Sequence, residues 1–293
     1  MTAVSVARGD SVNIIATWLE GLISRRKLSP GSVAVLRAIG ADPERASYCS
    51  GAALAEAAGV NIATVVRAAQ AIGFSGWPEL STEVRNRFLS SLDPDKHFAR
   101  NATTTKKPSL EPLARDVELI HLLAETLTEE AIDDVATVIS DAQSTVVLAT
   151  GAYVAPGAVL AHNGLALGYR IVLSDGSATS MINDVRRLGP GDCLLTFSIW
   201  RTDANLVPLC EYAKARGVRI VVIADQRSKL AELADRLILV PSEGAGPMAS
   251  VTCAVSVVQC VVSALANLDP ERSEAKLEEL QRLWTLTGAV VSD

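Results

Sequence analysis

Five short runs rich in β-branched and aliphatic residues recur across the second half of the chain, at 145–149, 170–173, 193–197, 219–224 and 236–240, with helical stretches between them. Four of the intervening stretches are long or patterned enough to be right-handed crossovers between parallel strands. A doubly wound α/β domain with a five-stranded parallel sheet follows. Ligands of such sheets bind beyond the carboxyl ends of the strands, which puts Gly151, Ser198 and Asp225 where chemistry is expected.

The 293 residues suggest two domains of ordinary size. Hydrophobic residues make up 49% and charged residues 20%, which excludes a disordered or collagen-like chain. Aromatics are only 4%, so the core must be filled by small aliphatic side chains, as suits helices packed on parallel strands. Residues 11–90 read as Ala-rich helices with short breaks, among them Ser29-Pro30-Gly31, Gly59-Val60-Asn61 and Gly73-Phe74-Ser75-Gly76, and carry no strand pattern. Between about 91 and 111 apolar periodicity is lost and Pro, Thr and Lys accumulate, as in a linker. The expected organisation is a helical domain over 1–90, a linker over 91–111 and an α/β domain over 112–293. Helices are expected near 112–126 and 128–141, with a charged amphipathic helix at 273–286.

The formal net charge of -6 divides unevenly, +2 over residues 1–90 and -8 over the remainder. The first part is therefore able to approach phosphates, with local Arg and Lys placement deciding whether it does. The five cysteines form no C-x-x-C pair and lie mostly among apolar neighbours, so they read as buried thiols in a reducing, cytoplasmic setting, without disulfides. His97, His121 and His162 show no ligand spacing, and no metal or cofactor is expected. The beginning of the chain resembles neither a signal peptide nor an anchor. The uncharged apolar stretch 251–268 carries Ser256, Gln259, Ser263 and Asn267 and reads as a buried helix rather than a membrane span.

Residues 50–80 carry the strongest local signal. A short helix over 52–58, a turn at Gly59 and a second helix over 62–72 capped by Asn61 form a helix-turn-helix pattern. Asn61, Thr64, Arg67 and Gln70 are read as projecting polar groups from the second helix, Thr64 and Arg67 being three apart. In a helix-turn-helix the second helix enters the major groove. Arg67 can donate bidentately to guanine or to a phosphate, while Arg25, Arg26, Lys27 or Arg45 can supply phosphate contacts. The same spacing also suits a plain helical hairpin in which Asn61 is only a cap. The run Ala55-Glu56-Ala57-Ala58-Gly59-Val60, then Ala63-Thr64-Val65-Val66-Arg67, then Gly73-Phe74-Ser75-Gly76-Trp77-Pro78-Glu79-Leu80, resembles the N-terminal domain of RpiR-type bacterial transcriptional regulators. The resemblance implies a winged-helix-like, all-helical DNA-binding domain, with Phe74, Trp77 and Leu80 packing its interior.

Residues 112–286 resemble the sugar isomerase (SIS) domain of the same regulators, most closely at Ser228-Lys229-Leu230-Ala231-Glu232-Leu233-Ala234-Asp235 and the strand after it. The resemblance implies a sugar-phosphate site built from a first-strand loop of the form G-x-G-x-S and a third-strand loop rich in hydroxyl residues. Both loops depart from that pattern. The first reads Ala149-Thr150-Gly151-Ala152-Tyr153, with Tyr153 at the phosphate-binding serine, and the third-strand loop keeps only Ser198 and Thr202 around Trp200. Arg201 keeps an anionic ligand available. Glu243 falls where SIS isomerases carry an acid or base, without a His partner in the sequence.

The expected effector contacts are therefore Gly151, Ala152, Tyr153, Ser198, Trp200, Arg201, Thr202 and Glu243, and the expected DNA contacts Asn61, Thr64, Arg67, Gln70 and Arg45. The resemblance implies a non-enzymatic regulator, usually a repressor, which binds double-stranded operator DNA and responds to a small anionic metabolite such as a phosphosugar. It also implies a homodimer or tetramer with no membrane partner. A phosphosugar isomerase with an accessory helical domain, and a regulator whose SIS domain only dimerises, are the alternatives.

Overall fold

The computed structural model describes residues 3–101 and 109–289, in two compact units, the first within residues 1–105 and 246–248 and the second within 106–245 and 249–293. The first unit is wholly helical among its described residues: α1 (Ala3–Ser24), α2 (Pro30–Ala41), α3 (Pro43–Tyr48), α4 (Gly51–Ala57), α5 (Ile62–Ala71), α6 (Trp77–Ser91) and α7 (Pro94–Asn101). No strand-built wing occurs among them. Polar side chains start four of these helices. Ser29, Asp42, Ser50 and Asn61 each accept a hydrogen bond from the backbone N–H three residues on, a cap worth about 1 kcal/mol apiece. The core gathers one face of every helix from α1 to α6, with Ile15, Leu36, Val65, Leu80 and Val84 fully buried. Phe74 and Trp77 lie in the same core, and the Trp77 indole N–H donates to the Cys49 carbonyl at 3.3 Å.

Within the stretch read as a linker, α7 occupies 94–101, and residues 102–108 lie outside the described residues.

The second unit opens with α8 (Glu111–Thr126) and α9 (Glu129–Ser140). It then alternates β1 (Thr145–Leu148), α10 (Val154–Ala166), β2 (Ile171–Ser174), α11 (Ala178–Val185), β3 (Cys193–Ser198), α12 (Leu206–Ala215), β4 (Arg219–Ala224) and β5 (Arg236–Leu239), and ends with α13 (Thr252–Leu268) and α14 (Pro270–Thr287). The five strands pair in parallel in the order β2-β1-β3-β4-β5. Alternate side chains feed two cores. Val147, Leu195, Val221 and Ile223 face a layer that includes Val135, Leu160 and Val257. Val146, Leu148, Leu194 and Val222 face the opposite layer of Met181, Val185, Leu206 and Cys210. Burial on both faces explains why the strands read as continuous apolar runs.

Among the described residues no single helix is long and apolar enough to cross a membrane, and no group of three His, Cys, Asp or Glu could hold a metal ion. Cys193, Cys210 and Cys253 are buried, whereas Cys49 is half-buried and Cys260, on the outer side of α13, is exposed. The reading of all five as buried thiols is corrected at Cys260, where the helical phase turns the side chain away from the sheet.

Candidate functional site

Two places in the molecule concentrate polar chemistry, one in each unit. In the first unit, α4 and α5 meet at 96° across a four-residue turn, the geometry of a helix-turn-helix. Gly59 makes the turn with φ +66°, a left-handed backbone that a side chain resists, and the Val60 N–H then closes on the Ala55 carbonyl at 2.9 Å. The next residue, Asn61, caps α5, its Oδ1 accepting from the Thr64 N–H at 2.9 Å and from the Thr64 hydroxyl at 2.9 Å. The Thr64 Oγ1 in turn accepts from the Arg67 guanidinium at 2.9 Å. Three of the expected DNA contacts thus form one chain running along the first turn and a half of α5.

Their roles differ. Asn61, Arg67 and Gln70 are exposed, but Thr64 is only 9% exposed. Its methyl group faces α2, where a Cβ added to Gly31 would come within 2.9 Å of it. The expectation that Thr64 projects outward is therefore corrected: at 100° per residue Thr64 falls on the buried side of α5 with Val65 and Ala68. Its hydroxyl accepts from the Arg67 guanidinium. Gln70 donates to the Ser75 carbonyl at 3.3 Å, so it also braces the turn after α5. Arg45, in α3, is exposed beside Asp42 and Cys49. Arg26 is exposed too and donates to the Ala71 carbonyl at 2.9 Å, closing the end of α5. Other cations of the unit are engaged in packing: Arg85 donates twice to the Ser47 carbonyl and lies over Tyr48, and Arg87 pairs with the buried Glu83 and lies over Trp18.

Residues 23–91 match a family model described as the helix-turn-helix domain of the rpiR family. This stretch is an rpiR-family helix-turn-helix domain.

In the second unit the sheet reverses its winding between β1 and β3, and the crevice outside their carboxyl ends holds most of the expected effector contacts. Gly151 and Ala152, in a single turn of 3₁₀ helix after β1, are exposed, and Tyr153 ends that turn with its ring stacked on Phe197 at 6.4 Å. At the end of β3 the Ser198 hydroxyl lies 2.7 Å from that of Thr202 and 3.0 Å from that of Ser228. Trp200 follows with φ +60°, the one non-glycine residue in the left-handed region among those described. Its N–H donates to the Asp225 carboxylate at 2.8 Å, and the Ser242 hydroxyl donates to the same oxygen at 2.7 Å. Buried at the end of β4, Asp225 therefore ties together the loops after β3 and β5. Burial pushes the Tyr153 phenol far up, and the Asp225 charge adds to the rise, so it stays protonated. Arg201 is exposed, its guanidinium 5.8 Å from the centre of the Trp200 ring.

Glu243 lies in the loop after β5, as expected, and is engaged there by α8. Arg115, on α8, donates to its backbone carbonyl at 2.9 Å and pairs with its carboxylate at 3.4 Å, while also holding Glu118. Its carboxylate is a structural partner of α8, joined by a contact 128 residues apart in sequence. Ser228 and Ser242 complete the crevice without having been singled out as contacts. Ser228 lies in the segment that resembles the SIS domain most closely, and Ser242 in the loop beside Glu243.

Among solved structures, the second unit is similar to the sugar isomerase domain of the RpiR transcription factor from Sphaerobacter thermophilus. The two are 25% identical with a TM-score of 0.58, over 60% of this chain and 99% of that one. The NanR protein of Vibrio vulnificus, complexed with ManNAc-6P, is 16% identical with a TM-score of 0.57 and covers 92% of this chain and 98% of its own. The second unit has the fold of a SIS domain. No curated protein matches the chain.

Proposed function

We propose that this protein is a transcription regulator, a repressor, that binds operator DNA through α5 and is controlled by a small anionic metabolite held at the β1–β3 crevice. The carrying observation is the chain Asn61–Thr64–Arg67 in an rpiR-family helix-turn-helix domain, which holds a guanidinium out from the second helix of the motif. Arg67 and Asn61 meet base edges or phosphates, Thr64 positions Arg67, and Gln70 and Arg45 lie at the borders of the contact. The functional division runs as residues 1–90 for DNA, 91–111 for connection and 112–293 for sensing and dimerisation.

For the effector, Arg201 supplies the cation, Trp200 a flat wall, and Ser198, Thr202 and the turn Gly151-Ala152-Tyr153 the polar surroundings. A phosphosugar is the first class to test, because a NanR of similar fold is complexed with ManNAc-6P. Turnover is not part of the proposal, since Glu243, at the position where SIS isomerases often carry an acid or base, has no His partner in the sequence and is paired with Arg115. Dimerisation through the SIS unit would match two-fold symmetric DNA half-sites.

Selection of bound sequences from random duplexes, with and without ManNAc-6P, tests the reading. The expected outcome is a paired motif whose recovery changes with the phosphosugar; enrichment of no sequence under either condition would overturn it.

A further inference from the structure

The outward arc of α5 is more apolar than its role suggests. At 100° per residue, Ile62, Val66, Gln70, Ala63 and Arg67 fall within one arc of about 140°, and all five are exposed. Ile62 is 56% and Val66 36% exposed, one turn apart on the N-terminal half of the helix. The polar groups beside them are partly engaged within the domain. Asn61 Oδ1 accepts twice from Thr64, the Thr64 hydroxyl bridges Asn61 and Arg67, and the Gln70 amide donates to Ser75. The surroundings fit a polyanion, because no acidic residue occurs from Ala57 to Pro78 and Arg67 stands on the same arc.

An aliphatic side chain in the major groove can distinguish one base-pair feature, the C5-methyl of thymine. We infer that Ile62 and Val66 are specificity-determining residues that pack against thymine methyl groups in the floor of the major groove, while Arg67 supplies the polar contact. This inference rests on the proposal that α5 reads DNA, and extends it to the kind of base step selected. Each half-site should then carry thymine at the positions facing the first two turns of α5.

The test uses the full-length protein and its selected duplex, with deoxyuridine replacing individual thymines. That exchange removes only the methyl and keeps every hydrogen-bonding group of the base pair. Wild-type affinity should fall about fourfold for each contacted methyl, the weight of one buried methylene-sized group. Val66→Ala and Ile62→Ala should bind the thymine duplex more weakly and lose most of the difference between thymine and uracil. Equal wild-type affinity for the two duplexes, with discrimination against random DNA retained, would overturn the methyl contacts and leave α5 as the reading helix. A selected motif without thymine in either half-site would also overturn them. Failure of the wild type to prefer any sequence would remove the underlying DNA-binding proposal as well, so the two failures are separable.

Discussion

Thr64 shows how one hydroxyl can be placed between structure and recognition. It donates a hydrogen bond to Asn61 and accepts one from Arg67, while its methyl fills the approach of α5 to α2. Thr64→Val keeps the shape and deletes the hydroxyl. Stability should change by no more than about 1 kcal/mol, because a net hydrogen bond is worth about that. Affinity for the selected duplex should weaken severalfold as Arg67 loses its tether, which parallel thermal melts and anisotropy titrations would separate. Two positions apart on the wheel decide such roles. Spacing alone paired Thr64 with Arg67 as outward neighbours, whereas the phase of the helix on its core turns only Arg67 out. The pairing of Glu243 was illegible for a different reason, since its partner Arg115 lies 128 residues away. The thiols offer a second residue-scale prediction. Burial pushes Cys193 and Cys210 up to about 12 from an ordinary value of 9.0. Below pH 9 the folded and unfolded chains both hold these protons; above it the unfolded chain releases them first. Their contribution to stability should therefore be lost progressively as pH rises from about 9 to about 12, visible in urea unfolding at stepped alkaline pH. With a maleimide at neutral pH, Cys260 should label in the native state and Cys193 only on unfolding.

At the scale of elements, the strands were the most readable part of the chain. Each of the five apolar runs is a strand, with ends displaced by no more than a residue or two, because a parallel strand covered on both faces has no polar side to break the run. The helix-turn-helix was legible from its caps and Gly59. The break between α1 and α2 was legible at Ser29-Pro30-Gly31, whereas the division of α2 from α3 at Asp42-Pro43 was not, since Ala-rich helices pack by small side chains and leave little periodic contrast. Close packing also governs α10, whose Gly164 lies against β2: an added Cβ would stand 2.4 Å from the Ile171 Cδ1, and Ile171 is fully buried. Gly164→Val should destabilise the protein by about 1–3 kcal/mol through overpacking, measured by denaturant titration. An unchanged midpoint would mean that the helix slides on the sheet more freely than its contacts suggest.

At the scale of the whole molecule, each unit closes its own core, one from residues 15–89 and the others from residues 119–265. Leu36→Ala empties part of the first core and should cost that unit about 2–5 kcal/mol. Calorimetry of the full chain should show the transition of the first unit moving while that of the second stays, and DNA affinity should fall with the first. The asymmetry of charge follows the same division, with the net acidic excess in the part proposed to sense a metabolite and the small basic excess in the part proposed to meet phosphates. The central claim is that the guanidinium presented by α5 reads the operator. Its most direct test is a titration of the selected duplex with the wild type and Arg67→Ala at one fixed salt concentration. Affinity for the motif should fall by a factor of about 5 to 100, the weight of one arginine–base pair, with preference over random DNA largely lost. Equal affinity and equal selectivity in the two proteins would contradict the account.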